Sequence, residues 1–262
     1  MAYTFISGAT GGIGKAFAIE CAEKNYNLFL TGRSNEKLLA LKEDLLKVND
    51  KIEIDFFACD LTKEESRQEM FSYIDERCVT FDRVINVAGV DTQMGFLDYT
   101  LEKVLFQIRV NTESTIANTY QLLNRREKEL EIITISSMSG VTPMPYFAIY
   151  SATKASLTNF FSGLHYELKD KGVKVTCVMP GGVPTREDII LDIKGQGLWG
   201  KLSVVEPNVL AKKSLKAVQK NKRKYIPGFF NKLLYFIMKI TPESWQLAFI
   251  KNRWKNLKKD AF

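Results

Sequence analysis

The stretch YTFISGATGGIG, Tyr3 to Gly14, decides how the rest of the chain is read. YTFIS is a short run of β-branched, aromatic and apolar residues, the composition of a buried strand. It runs straight into a turn carrying Gly8, Gly12 and Gly14, and a helix-like stretch follows to about Lys24. Glycine allows positive φ and close approach of the backbone to a ligand. A strand, a glycine turn and a helix N-terminus in that order present free N–H groups and a positive dipole, which suits a pyrophosphate. The spacing is G-x-x-x-G-x-G, not the more familiar G-x-G-x-x-G.

The same alternation continues outward. Strand-like runs occur at LFLT (Leu28 to Thr31), IEIDFFA (Ile52 to Ala58), RVINVAG (Arg83 to Gly89), EIITISS (Glu131 to Ser137), VKVTCVMPGG (Val173 to Gly182) and KYIPG (Lys224 to Gly228). Helical stretches separate them: from about Ser34, after Thr62, through Asn111 to about Asn124, through Tyr150 to Lys169, and from near Pro207. Alternating strands and helices predict right-handed βαβ units and a parallel sheet covered on both faces. Near-continuous apolar strands fit that double burial. The expectation is one doubly wound α/β domain over residues 1–227, with seven parallel strands and a helical C-terminal extension over 228–262 packed on it.

The second strand ends in TGRS. An acidic residue there would bind a ribose 2′-hydroxyl, whereas an arginine suits a 2′-phosphate. Arg33 therefore points to NADP(H). Ser34 could add a hydroxyl or serve only as the N-cap of the next helix.

YSATK places Tyr150 and Lys154 at i and i+4, on one helix face. Thirteen residues before Tyr150, ISSMSG ends the fifth strand with Ser136 and Ser137, and Asn111 lies in the preceding helical stretch. This set resembles the short-chain dehydrogenase/reductase family in its single-domain form, over roughly residues 3–226. SGATGGIG resembles the family's T-G-x-x-x-G-x-G, with Ser7 for Thr. Asp60 of CDL resembles the residue that bonds the adenine amine. NVAG (Asn86 to Gly89) resembles N-N-A-G, with Val87 for the second Asn, and PGGVPT resembles P-G-x-V-x-T.

The resemblance implies a Rossmann fold and a cofactor seat of Gly8, Thr10, Gly12, Ile13, Gly14, Arg33, Ser34, Asp60, Leu61, Asn86, Ala88, Gly89, Tyr150, Lys154, Pro180, Gly181, Val183 and Thr185, with Thr185 on the nicotinamide amide. It also implies that Lys154 binds the nicotinamide ribose and that Asn111 holds a water in a proton relay.

Ketone reduction needs a hydride at carbon and a proton at oxygen. A free tyrosine has a pKa of about 10, too high for ready exchange. An adjacent ammonium, here Lys154, should lower it. Tyr150 is then general acid in reduction and general base in oxidation, and Ser137 polarises the carbonyl. The expected activity is NADP(H)-dependent interconversion of a secondary alcohol and a ketone. A non-catalytic NADP-binding regulator and a nucleotide-sugar epimerase are the rivals. The first has no need of Ser137, Tyr150, Lys154 and Asn111 together, and the second needs a larger C-terminal domain. A Ser-His-Asp hydrolase is disfavoured. His165, the sole histidine, lies far down the helix and reads as a surface or interface residue, and Ser137 is not in a G-x-S-x-G elbow.

Met138, Thr142, Met144, Tyr146 and Phe147 are expected around the substrate, with Met94, Phe96 and the Asp188–Leu202 insert, including Trp199, closing over it and Gly195 and Gly197 as hinges. No cluster of fixed charges appears among them. That favours a bulky apolar substrate: a hydroxysteroid, a bile acid or a long acyl or alkyl ketone.

Of 262 residues, 45% are hydrophobic and 26% charged, ordinary for a globular chain. The net charge of +7 is uneven. Residues 211–262 carry 14 Lys/Arg against 2 Asp/Glu, so the first 210 are net acidic. This asymmetry hints at an anionic partner surface. In the extension, Pro242 should separate two helices, with Thr241 capping the second. The extension is expected to pack over the cleft or form a subunit contact; peripheral membrane contact is the alternative, and no motif supports nucleic acid. Cys21, Cys59, Cys78 and Cys177 form no C-x-x-C pair, so no metal site is expected and reduced, buried thiols are. No signal peptide precedes the first motif and no apolar run is long enough to span a bilayer. The expectation is a cytoplasmic enzyme, peripheral to the membrane at most, and the family resemblance implies a homodimer or homotetramer paired through the helices that carry Asn111 and Tyr150.

Overall fold

A computed structural model describes residues 2–195 and 197–254. Seven strands form one sheet: β1 (Ala2–Ser7), β2 (Asn27–Gly32), β3 (Ile54–Ala58), β4 (Thr80–Asn86), β5 (Arg126–Ile135), β6 (Val173–Val178) and the two-residue β7 (Lys224–Tyr225). Their spatial order is β3-β2-β1-β4-β5-β6-β7 and every pairing is parallel. The chain winds outward from β1 to β3, then crosses back to β4 beside β1. The C-terminal ends of β1 and β4 therefore splay at a topological switch point, where doubly wound sheets bind ligands. This is the expected doubly wound α/β architecture.

Side-chain alternation along β1 builds both faces of the core. Ile6 packs with Phe17 of α1 (Gly12–Glu23), Leu38 and Leu45 of α2 (Asn35–Val48), and Leu215 of α9 (Pro207–Gln219). Phe5 faces the other way, with Met70 and Ile74 of α3 (Glu64–Glu76), Leu122 of α5 (Ser114–Leu123) and Phe161 of α6 (Ala148–Glu167). Phe5 lies parallel to Phe29 at 6.0 Å and edge-on to Phe81 at 5.9 Å, both favourable ring geometries.

Three local features differ from the sequence reading. The helix expected to run unbroken through Asn111 is split into α4 (Leu101–Ile108) and α5 by a π turn at Arg109–Glu113. Its loosened carbonyls are recovered by side chains: Ser114 Oγ donates to Val110 O and Thr115 Oγ1 to Asn111 O. His165 is buried, not on the surface, and its Nδ1 lies 2.8 Å from Val175 O, because α6 packs that face on β6. Thr241 closes the helix before it: its hydroxyl donates to Ile237 O and accepts from Gln246 Nε2.

Beyond β6 the chain adds α7 (Glu187–Gly195) and α8 (Gly197–Ser203), and after β7 come α10 (Phe229–Ile240) and α11 (Glu243–Trp254), separated at Pro242 as expected. Asn231 ties these pieces together by donating to Ser203 O and Pro227 O. No described helix is long and apolar enough to cross a membrane. All four cysteines are free thiols; Cys21, Cys59 and Cys177 are buried as expected, but Cys78, in the turn between α3 and β4, is exposed.

Candidate active site

The turn after β1 folds as its glycines require. Gly8 has φ +65°, and a Cβ on Gly14 would lie 2.1 Å from Gly8 O. Gly11 caps α1 without a side-chain hydrogen bond, and no acidic residue occupies the first turn. The helix N-terminus thus keeps its positive end for an anion. Ser7 Oγ accepts from Val87 N at 3.1 Å, so serine does the tethering that this position demands, and Thr185 folds down onto Gly12 from the loop after β6.

At the end of β2, Arg33 is exposed, with Thr10 packed against the neighbouring Gly32. Ser34 Oγ accepts from Lys37 N at 3.2 Å, the cap role of its two expected ones. Asp60 Oδ1 accepts from Thr62 N and Thr62 Oγ1, and Leu61 lies in the core. Asn86 differs from expectation. Its amide turns away from the cleft and donates to Thr119 Oγ1 and Thr134 Oγ1, joining α5 to the sheet. Ala88 backs onto Gly8, and Gly89 lies on the wall of the cleft.

That cleft is a cavity of about 610 Å³ running along the C-terminal ends of β1, β4, β5 and β6. Ile13, Gly89, Pro180, Gly181, Val183 and Thr185 line it together with Ser137, Tyr150 and Lys154. Ile13 of the α1 terminus thus shares one space with Gly89, Gly181 and these polar groups, while Gly8, Thr10, Gly12 and Gly14 of the turn do not line it. No described group of His, Cys, Asp or Glu is arranged for a metal.

The polar groups are held from below. Gly140 presses on α6 so closely that a Cβ would sit 2.7 Å from Ala155 N and from Lys154 C. Ser136 Oγ donates to Lys154 O, leaving Ser137, whose Oγ accepts from Ser139 N, as the hydroxyl on the cavity wall. Lys154 is buried and its Nζ donates to Ile135 O at 2.9 Å. Asn111 is fully buried. Its Oδ1 accepts from Val90 N, and its Nδ2 donates to Val90 O and Thr153 Oγ1. The side chain therefore clamps the loop after β4 to α6.

The electrostatics run against the simple expectation. Burial pushes the Tyr150 phenol well above its usual pKa, Asp91 pushes it further, and the neighbouring Ser137 hydroxyl acts the other way. Burial also lowers Lys154 to about 8. Its Nζ lies 5.6 Å from the centre of the Tyr150 ring, over the face. Burial thus favours the protonated phenol in the protein alone.

Phe147 stacks on Tyr150 at 4.4 Å, and Trp254 of α11 stacks on Phe147 at 6.2 Å. Tyr146, at φ +63°, turns the chain sharply before this stack. That turn also carries Tyr146 out of the cavity. Tyr146, Met94 and Phe96 instead line a separate hollow of about 180 Å³ beside Lys251, which corrects their expected place. Met138, Thr142, Met144 and Phe147 do line the main cavity. The insert contributes Ile189 and Ile193, while the Trp199 side chain lies outside the described residues.

Sequence reasoning missed one thing here. Asp91 and Arg186 meet across the cavity rim at 3.1 Å, and Arg253 also lines it, so the walls do carry fixed charge. Ninety-five positions separate the first two, and no spacing signals such a pair. The roof comes from the extension, through Leu234, Met238, Trp245, Phe249 and Ile250.

A doubly wound sheet with a glycine turn, and a serine, a tyrosine and a lysine on one cavity wall, defines a dinucleotide-dependent oxidoreductase of a recognisable class. The family model of the short chain dehydrogenase matches residues 2–189, and the chain belongs to that family. A very-long-chain 3-oxoacyl-CoA reductase of Neurospora crassa is 33% identical over 184 residues, 68% of this chain but only 54% of that protein. An uncharacterised oxidoreductase of Staphylococcus aureus is 32% identical over 182 residues, 69% of this chain and 77% of its own. Among solved structures, a 7β-hydroxysteroid dehydrogenase aligns with a TM-score of 0.84 at 21% identity, covering 95% of this chain and 96% of its own. A bulky-bulky ketone specific alcohol dehydrogenase from Comamonas testosteroni aligns at 0.74 with 23% identity, over 100% and 96%. At these identities the likeness is one of fold. Coverage of 95% takes in most of residues 190–262, beyond the family model.

Proposed function

We propose that this enzyme interconverts a secondary alcohol and a ketone with NADP(H), and that the substrate is bulky and largely apolar. The observation that carries the reading is the convergence of Ser137, Tyr150 and Lys154 on the cavity that Ile13, Gly89 and Thr185 also line. In this reading residues 1–227 form the catalytic domain and residues 228–262 an extension over its cleft.

The N-terminal amides of α1, with Gly8, Thr10, Gly12, Ile13 and Gly14, would hold a pyrophosphate. Arg33 would take the 2′-phosphate with Ser34 beside it, and Asp60 and Leu61 the adenine. Ala88 and Gly89 would face the sugar, and Pro180, Gly181, Val183 and Thr185 the nicotinamide. Bound there, the cofactor supplies the hydride and, when oxidised, a positive ring charge.

Ser137 donates to the carbonyl oxygen and polarises it. Tyr150 gives that oxygen its proton in reduction and removes it in oxidation. The raised pKa of the phenol favours the proton-donating form until a positive charge is placed near it. Lys154 binds a ribose hydroxyl and, while charged, supports the phenolate. Asn111 acts from behind by fixing Val90 and Thr153.

Bulk and apolarity of the substrate rest on the cavity volume and on the Met138, Met144, Phe147, Leu234 and Trp245 walls. A hydroxysteroid, a bile acid or a long acyl or alkyl ketone fits, in keeping with the hydroxysteroid and bulky-ketone enzymes that share the fold. Leu101, Tyr120, Phe160 and Tyr166, exposed on α4, α5 and α6, support pairing of two copies through those helices. A cytoplasmic homodimer or homotetramer is the assembly we favour.

The test is NADPH oxidation with a ketone panel by wild type and Tyr150→Phe. Equal turnover of every accepted ketone sinks the assigned role. For cofactor choice, Arg33→Ala should raise the Kd for NADPH by about tenfold, the loss of one charge-assisted contact, with NADH unchanged. Parallel weakening of both cofactors contradicts the 2′-phosphate assignment.

A further inference from the structure

The two faces of α10 do different things. One face is built into the protein: Asn231 is buried, and Leu234 and Met238 line the cavity. At 100° per residue, Phe229, Leu233, Phe236, Ile237 and Ile240 fall within one sector on the opposite side. All five are exposed, Phe229 at 84%, Phe236 at 61% and Ile240 at 66%. Lys232 and Lys239 flank this stripe along one edge, both exposed. On α11, Trp245 and Phe249 are exposed at 71% and 59%, with Lys251 exposed as well.

Single exposed apolar residues need no explanation, but a contiguous stripe of this size does. One member of the stripe and the two exposed aromatics of α11 have a second role. Ile237, Trp245 and Phe249 also line the catalytic cavity. The cavity therefore opens through the apolar face itself, and its rim is continuous with the stripe.

We propose that α10 and α11 dock this enzyme on an anionic lipid surface, with the cavity mouth facing the acyl chains. The apolar stripe would enter the interface while the lysine stems reach back to the phosphates. Charge argues for this occupant over a second copy. Self-pairing of the face would bring Lys232, Lys239 and Lys251 against their own images, which like-charge repulsion opposes. Anionic headgroups neutralise the same lysines, and the 14 basic against 2 acidic residues of 211–262 act in the same direction. An apolar ketone dissolved in the bilayer would then pass into the cavity without crossing water. Only this last step rests on the function proposed above; the docking does not.

The experiment is co-sedimentation of the full-length protein with vesicles of phosphatidylcholine alone or of equimolar phosphatidylcholine and phosphatidylglycerol. Wild type should partition about tenfold more strongly onto the mixed vesicles. Phe229→Ser/Leu233→Ser/Phe236→Ser should lose about tenfold or more of that binding. Lys232→Gln/Lys239→Gln should lose the preference for anionic lipid. Thermal melts of the variants, all changed at exposed positions, control for folding. Wild type left in the supernatant with both vesicles overturns the proposal, as does a triple variant that pellets like wild type. So does a vesicle-free wild-type oligomer that the triple variant dissolves, which would make a second copy the occupant.

Discussion

The floor of the cavity and its roof are built in contrasting ways. The floor, from β1 to α6, is held by close backbone contacts and buried hydrogen bonds. Gly14 sits against Gly8, Gly140 against α6, Asn111 grips both Val90 and Thr153, and Lys154 bonds Ile135. The roof, from α7, α8, α10 and α11, turns mainly apolar side chains to the cavity, and its own pieces are tied to one another by Asn231 and Gln246. Proton transfer demands atoms fixed within hydrogen-bond reach, whereas enclosing a bulky substrate demands shape. Substitutions in the floor should therefore strike kcat, and those in the roof KM.

The sharpest break is Tyr150→Phe. It removes the proton donor without altering packing, so kcat should fall by about 10²- to 10⁴-fold with KM and Tm little changed; a KM effect alone would blur the floor–roof distinction. Gly140→Ala comes next. Its new methyl meets the backbone of α6, which cannot step aside without moving Lys154. A loss of about 1–3 kcal/mol in stability, read by denaturant unfolding, should accompany reduced kcat. In the roof, Asn231→Ala deletes both bonds that join Ser203 and Pro227 to α10. Local loosening worth about 1–3 kcal/mol should raise KM for bulky ketones while kcat on small ones stays constant.

The smallest effect concerns pH. Lys154 loses its proton near 8, so kcat/KM for reduction should decline as pH rises through that value. The sign for stability is opposite. Burial disfavours the charged form, so between about 8 and the ordinary 10.5 the unfolded chain binds more protons and folding gains as pH rises. Melting temperatures on either side of that window should show a gain that Lys154→Met lacks.

The sheet was legible because each strand is an apolar run and each junction has its own punctuation. Ser137, Tyr150 and Lys154 were legible because they lie within one strand end and one helix, where spacing becomes geometry directly. Other features leave no such mark. A π turn at Asn111 adds one residue to one turn and hardly disturbs helical periodicity. His165 looked isolated because its partner is a main-chain carbonyl on β6, which composition cannot announce. Tyr146 was misplaced because a single positive φ reverses a side chain's direction. The amphipathic character of the extension was plain, but which face would cover the cleft depended on where Gly228, at φ +84°, aimed α10.

The thiols offer a practical use of the topology. Cys78 is exposed just before β4, at the N-terminal edge of the sheet and thus at the opposite pole from the cavity. Burial drives Cys21 up to about 12 and Cys59 and Cys177 to about 11, which leaves them scarcely nucleophilic. A maleimide dye or surface linker should accordingly attach at one point, holding the enzyme by its back with its entrance turned towards the solution.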